Sequence, residues 1–512
     1  MTAEQGTPTA PHSLPPDESL SANRLGIAGV VFFVVAAAAP LVGMTGAVPV
    51  AIVLGNGAAA PGAYLAAGLV LLVFSVGYSS LSSRVSNTGA FFAFVGRGLG
   101  IVPGVGSAFV SLLAYLAIQL SIFGFFGATA ASLFASDVGL DLSWWAWALI
   151  AWAIVLLLSI LQVDIGAKVL GVLMLVEVCS LGLVAVVVLF QGGGPDGLGF
   201  WDSFSPSKIF AGGFGGSAGI ALAFAFASYI GFEATAIYAE ETKNPKRSVP
   251  IATYTAVCVI ALLFATTSWA VVSGIGSDHV VDRVAEVSSL DGTPLADPAA
   301  VLFSVADEYV GHWLSVLMSW LVLSSLFAGL LAFQNSASRY FFSMGRARVL
   351  PRALDRVNHR AAPIIGAVTT SVITFLVIVY FAATGKDPVL NLFYWFSGTA
   401  VLSIVLVEVL VSLAVIVYFR RTHEDTRVWN TLIAPIVAIL GLASAAYLIV
   451  ARFGLLAGTV ASAEESMNAF ALSATGWVLV LLPFIVFIVG VAVGAARQNR
   501  GDSAEAMADL VS

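Results

Sequence analysis

Twelve apolar stretches occupy most of this 512-residue chain, at about 26–54, 61–83, 102–135, 144–163, 168–190, 214–242, 250–274, 312–343, 363–383, 390–419, 431–453 and 470–496. Crossing roughly 30 Å of hydrocarbon takes about 20 such residues per helix. A backbone with no water beside it must satisfy its own hydrogen bonds, which a helix does. The pattern therefore predicts an all-α integral membrane protein with twelve transmembrane helices. Charged residues make up only 10% of the chain against roughly 25% in a soluble domain, which excludes a soluble multidomain enzyme. The first, third, sixth and eighth stretches exceed the need of a straight helix, which predicts tilt, a break or an attached surface turn.

Charge fixes an expected topology. With both termini cytoplasmic, only Lys208, Arg283, Lys386 and Arg452 fall in outside segments, and the other 18 of 22 basic residues fall inside. The expectation is a multi-pass protein of the cytoplasmic membrane. Residues 1–23, with Pro8, Pro11, Pro15 and Pro16, read as a disordered cytoplasmic tail, and 497–512 as a short polar one. The first lacks the basic start of a signal peptide, and the apolar stretch after Arg24 is too long for one. A net charge of -7 leaves no basic face for nucleic acid. Cys179 and Cys258 sit inside apolar runs, so no disulfide framework is indicated. The five histidines lack metal-ligand spacing, and neither a metal nor another cofactor is expected.

Two of the helices carry interruptions. Helix 1 holds Ala39-Pro40-Leu41-Val42-Gly43-Met44-Thr45-Gly46 and then Pro49. Prolines and glycines at that density remove backbone hydrogen bonds and loosen a helix. Helix 6 has Gly212, Gly213, Gly215, Gly216 and Gly219 near one end and Ser228-Tyr229-Ile230-Gly231 in the middle. Freed backbone groups survive at membrane depth only where protein or a water-filled cavity satisfies them. Two interrupted helices five spans apart are the pattern of an inverted-repeat transporter. Amides at one break suit an anion and carbonyls at the other a cation, so a zwitterion satisfies both. This predicts an amino acid or related amine as cargo.

Two motifs carry a family resemblance. Gly231-Phe232-Glu233 is followed by Glu240-Glu241-x-Lys243-Asn244-Pro245-x-Arg247-x-x-Pro250, and Asn335-x-x-x-Arg339-x-x-x-x-Met344-x-Arg346 precedes Leu350-Pro351 and Pro363. Both resemble signatures of the amino acid–polyamine–organocation transporter superfamily, across most of residues 25–420. The resemblance implies a LeuT-type core at 24–420, with five-helix repeats at about 26–190 and 214–419 in inverted orientation, and two further helices within 421–496. It also implies that substrate carboxylate meets the backbone of Val42, Gly43, Met44 and Thr45. The amine would meet the backbone near Ala227, Ser228 and Ile230, with Phe232 as an aromatic gate. Many relatives carry Gly-Ser-Gly in helix 1. The Val42-Gly43-Met44 found here changes that lining and leaves the substrate open.

Glu177 stands alone among apolar residues deep in helix 5, where a charge costs at least ~2.5 kcal/mol, so it must be paired, wetted or protonated. Alignment on Ala167-Lys168-Val169 places it where some proton-coupled relatives have a lysine. The expectation is that it carries the coupling proton; a structural, protonated glutamate is the alternative. Ser324 and Ser325 in helix 8 match two hydroxyl ligands of sodium-coupled relatives, against the ordinary use of such serines in bonding their own backbone. Glu240, Glu241, Lys243 and Arg247 read as a cytoplasmic ion-pair network and inner gate, or as a solvated helix end. Tyr115 and Gln119 either line the cavity or pack, and Glu408 either faces the bundle or snorkels.

No nucleophile–base pair or metal cluster suggests a membrane enzyme, and no filter repeat or charged ring suggests a channel. The reading is a secondary active transporter importing an amino acid or amine by alternating access, with protons as driving ion. The alternatives are an amino acid or polyamine exchanger, a sodium-coupled carrier, and a non-transporting sensor or channel on the same fold.

Overall fold

The computed structural model describes residues 26–498 apart from 86–89, 162–163, 238, 290–291, 293–294, 296, 361 and 463–465. The tail at 1–23 and nearly all of 497–512 lie outside this set. Among the described residues, twelve helices are long and apolar enough to cross a membrane: Ile27–Gly46, Val48–Ser82, Ile101–Asp137, Trp144–Leu161, Gly171–Phe190, Ser217–Ala236, Pro245–Ile275, His312–Arg346, Ile364–Ala383, Pro388–Thr422, Trp429–Ala451 and Ala474–Gln498. They are called spans 1 to 12 below. No strand occurs among the described residues. The expected all-helical architecture and the count of twelve are both found.

Burial sorts the spans into two groups. Span 6 is 94% buried and span 3 is 78% buried, whereas spans 4 and 12 are each 28% buried. The less buried spans turn apolar side chains outward, including Ile150, Ile154 and Leu157 on span 4 and Val478, Leu481 and Ile488 on span 12. A contiguous apolar exterior of this kind needs lipid against it. Spans 3 and 8, of 37 and 35 residues, are each an unbroken helix. At 1.5 Å per residue each exceeds about 50 Å, so they outrun the hydrocarbon, whereas their length could also have concealed a break.

Spans 1 and 6 are the broken ones. Helix Ile27–Ala38 ends at Ala39, held at φ 42° and ψ 67°, and a second helix starts at Pro40. Proline tolerates the first helical position because its missing N–H would have no partner there. In span 6, helix Ser217–Ala227 ends before Ser228–Gly231, and a tighter helix continues over Phe232–Ala236.

At the arginine-rich end of the bundle, a charged cluster fixes the 424–427 turn to span 2. Asp425 binds Arg427 at 2.7 Å and Arg84 at 3.3 Å, and the Arg84 guanidinium stacks 4.8 Å from the Phe419 ring. The Arg427 hydrogen bond holds the Asp425 carboxyl down at about 2. A depressed carboxyl contributes stability that is complete above its unfolded value and is lost as pH falls through the folded one. Asp425→Asn should therefore cost about 1 kcal/mol in this partly exposed cluster, or a Tm drop of roughly 1–2 °C. The difference from the parent should persist from neutral pH down to about pH 4 and shrink below it. Thermal unfolding in detergent across that range is the check, and a difference unchanged near pH 2 would remove the assignment.

Candidate transport site

The break in span 1 begins with a loss of partners. Pro40 has no N–H, and the left-handed turn at Ala39 carries the next amides away from the preceding helix. The Leu41 amide instead donates to Glu177 Oε1 at 2.9 Å, and the Ser325 hydroxyl donates to the same oxygen at 3.0 Å. Glu177 is 2% exposed, so one carboxylate on span 5 joins the start of a half-helix in span 1 to span 8. A negative group at a helix N-terminus also meets the positive end of its dipole. The Gly43 amide returns to the Ala39 carbonyl at 3.1 Å. The Val42 amide, by contrast, has no acceptor among the described residues.

Span 6 repeats the device in another register. The Gly231 amide donates to Glu233 Oε2 at 2.8 Å, so the carboxylate caps its own half-helix. The Tyr115 hydroxyl donates to Glu233 Oε1 at 3.2 Å, and the Tyr78 hydroxyl to the Glu233 carbonyl at 2.7 Å. Glu233 is fully buried. Gly231 adopts φ 111°, a conformation that L side chains rarely take. A Cβ there would also lie 2.8 Å from the Ala37 Cβ and 3.0 Å from the Ala38 nitrogen, so the two breaks touch at this residue. The carbonyls of Ala227, Ser228 and Ile230 accept no backbone amide among the described residues.

A cavity of about 100 Å³ lies against both breaks. Span 1 contributes Val42 and Gly43, and span 6 contributes Ala227, Ser228 and Ile230. Its remaining walls are mostly apolar, with Ile118 and Ile122 from span 3, Phe333 from span 8 and Phe393 and Val401 from span 10. Among the lining residues none is charged. The Ser228 hydroxyl donates to the Phe224 carbonyl and the Ser397 hydroxyl to the Tyr394 carbonyl, so both protons are committed within their own helices.

Five of the eight residues expected at the substrate thus line one cavity. Met44 and Thr45 do not: Met44 is 1% exposed in the core, and the Thr45 hydroxyl donates to the Leu41 carbonyl. Phe232 lines a separate small space and meets Phe74 edge to face, 6.0 Å between centroids. At the main cavity Phe393 meets the lining Tyr394 at 5.0 Å between centroids, and Phe125 behind it at 4.8 Å. Phe393, Ser397 and Val401 escaped the sequence reading, since in span 10 only Glu408 stood out from the apolar run.

Of the network expected from Glu240, Glu241, Lys243 and Arg247, Glu241 instead pairs with Arg339. Arg339 Nε donates to Glu241 Oε1 at 2.7 Å, with both side chains at most 7% exposed. It links the segment after span 6 to span 8. Lys243 and Arg247 are exposed, and the Glu240 side chain lies outside the described residues. Ser324 bonds its own helix at the Leu321 carbonyl, whereas Ser325 is engaged with Glu177. Gln119 donates to Gln334 Oε1 on span 8 at 2.5 Å. Tyr115 reaches Glu233, and neither residue lines the cavity. Glu408 faces the bundle at 1% exposure. No cluster of three or more metal-ligating side chains occurs among the described residues.

Twelve spans, two of them broken at one cavity, give the chain the architecture of a membrane carrier. The chain belongs to the amino acid permease family, whose sequence profile matches residues 25–482. It is 26% identical over 349 residues to the branched-chain amino acid permease BcaP of Lactococcus lactis, covering 62% of this chain and 67% of that protein. It is 27% identical over 267 residues to the histidine permease of Saccharomyces cerevisiae, covering 50% of this chain and 42% of that one. With cationic amino acid transporter 1 of Arabidopsis thaliana it shares 27% over 157 residues, 30% of this chain and 24% of the relative.

The contact between the breaks generates a prediction. Gly231→Ala places a Cβ in a forbidden conformation and against backbone, which should cost about 1–3 kcal/mol. A lower Tm in detergent and weaker substrate protection are the expected result. Unchanged values of both would mean that the breaks do not depend on this contact.

Proposed function

We propose that this permease imports an aliphatic amino acid across the cytoplasmic membrane by alternating access, coupled to protons. The observation that carries the reading is the cavity against both breaks, with an unpaired amide at Val42 on one side and unpaired carbonyls at Ala227, Ser228 and Ile230 on the other. A zwitterion supplies the missing partners in both directions: its carboxylate accepts from the amide and its ammonium donates to the carbonyls. We read residues 26–190 and 214–419 as the two inverted repeats, both termini as cytoplasmic and Glu241–Arg339 as the inner gate.

The relatives' names point to branched-chain, histidine and cationic cargo. The lining favours the first. A cationic side chain buried there would need a carboxylate opposite it, and a polar one a free hydrogen-bonding group. The apolar walls reward hydrocarbon at about 25 cal/mol per Å² instead.

Glu177 supports proton coupling because its carboxylate holds a freed amide of the span-1 break. Protonation removes the negative charge at that half-helix N-terminus and weakens the cap, so proton occupancy acts on the hinge itself.

Purified protein in liposomes tests the reading. Expected are saturable counterflow of labelled leucine, competition by valine and isoleucine but not lysine or histidine, and uptake that is unchanged when choline replaces sodium. Ohmic current without exchange would indicate a channel, and binding without exchange a sensor. Glu177→Gln should abolish uptake driven by an acidic exterior. Retained, still pH-dependent uptake by that variant would sink the proton role of Glu177.

A further inference from the structure

Beside the span-6 break lies a second space, of about 10 Å³, walled by Phe226, Tyr229, Ile230 and Phe232 together with Leu71 of span 2 and Ile404, Val405 and Glu408 of span 10. Ile230 belongs to this space and to the main cavity alike. Glu408 is 1% exposed, and its Oε1 has no hydrogen-bond partner among the described residues. A buried polar atom left in that state costs about 1–3 kcal/mol, more if charged. Such groups in membrane helices mark ion and proton paths. The space is near the lower limit of about 10–15 Å³ for one water, which needs at least two polar partners. Glu408 Oε1 is one. Ile230, whose carbonyl accepts no backbone amide among the described residues, stands on the same wall.

We infer that Glu408 is a second proton-binding carboxylate of the transport cycle, exchanging its proton with water beside the span-6 break. The inference rests on the transport reading above and not on the role of Glu177. In the step, hydronium gives its proton to the carboxylate on one side of the cycle and water takes it back on the other, with no further reactant.

The surroundings suit this use. Glu233 follows Phe232 directly, and Phe232 shares the wall of this space with Glu408. Two carboxylates so placed do not both ionise cheaply, so the charge of one sets the proton occupancy of the other. Of the other titratable groups on elements packed here, Tyr229 donates to the Tyr64 carbonyl, Tyr115 to Glu233 and Tyr78 to the Glu233 carbonyl. Arg97 lies toward the Tyr418 end of span 10, and Tyr447 on span 11 is exposed. None of these hydroxyls is given to Glu408.

The test is proton and leucine flux measured together in liposomes holding full-length protein under an acidic exterior, with a trapped pH dye and labelled leucine. Glu408→Gln keeps size and hydrogen bonding but cannot titrate; Glu408→Asp can. The inference expects the Gln variant to lose one proton per leucine and the Asp variant to keep it. A Gln variant with the parental ratio would overturn it. If the Gln variant does not fold, carbodiimide labelling of the parent protein decides. An adduct on Glu408 that forms at acidic and not at alkaline pH supports the inference, and no adduct at any pH overturns it. Parent liposomes without leucine counterflow would count against the transport reading instead.

Discussion

The bilayer's intolerance of an unpaired backbone amide governs this molecule. In hydrocarbon each such group costs several kcal/mol, so a broken span persists only if something replaces the hydrogen bonds it gives up. Two glutamates do so. Glu177 takes the Leu41 amide from across the bundle, and Glu233 takes the Gly231 amide from within its own half-helix. Each is also tied to another span, by Ser325 and by Tyr115. The bundle around these carboxylates positions two backbone interruptions and keeps them from closing into regular helix.

The same constraint explains the composition of the cavity. In the proposed reading, polar recognition falls to main-chain groups, namely the Val42 amide and the carbonyls of Ala227, Ser228 and Ile230. Side chains are free to be apolar, and Ile118, Ile122, Phe333 and Val401 are. The buried Arg339–Glu241 pair lies away from this cavity, at the arginine-rich end. Losing one partner of such a pair leaves the other charge buried and uncompensated, so the intact pair resists separation.

The twelve spans were legible because length and hydropathy report them almost directly. Both breaks were legible too: Pro40 removes a donor, and Gly231 permits a conformation that other residues resist. Glu177 stood out as an isolated charge, yet its contact with Leu41 joins residues 136 positions apart and depends on packing alone. Met44 and Thr45 are adjacent to the cavity-lining Gly43, but the helical turn directs them into the core. Helical phase in a half-helix of seven residues is not readable when every face is apolar. Span 10 shows the limit most plainly, since Phe393, Ser397 and Val401 are chemically ordinary and matter only through where they stand.

The contact of Gly231 with Ala37 and Ala38 divides two tasks that most binding sites combine. At that contact the Gly231 backbone meets the Ala37 methyl and the Ala37–Ala38 main chain, with nothing larger than a methyl between the breaks. Ile118, Ile122, Phe333, Phe393 and Val401, from other spans, supply part of the cavity wall. Exchanging Ile122 or Val401 for another residue reshapes those walls without entering the contact between the breaks. A chain built this way can reshape its cavity while the contact between the breaks stays the same, and two such proteins can share that contact and little else.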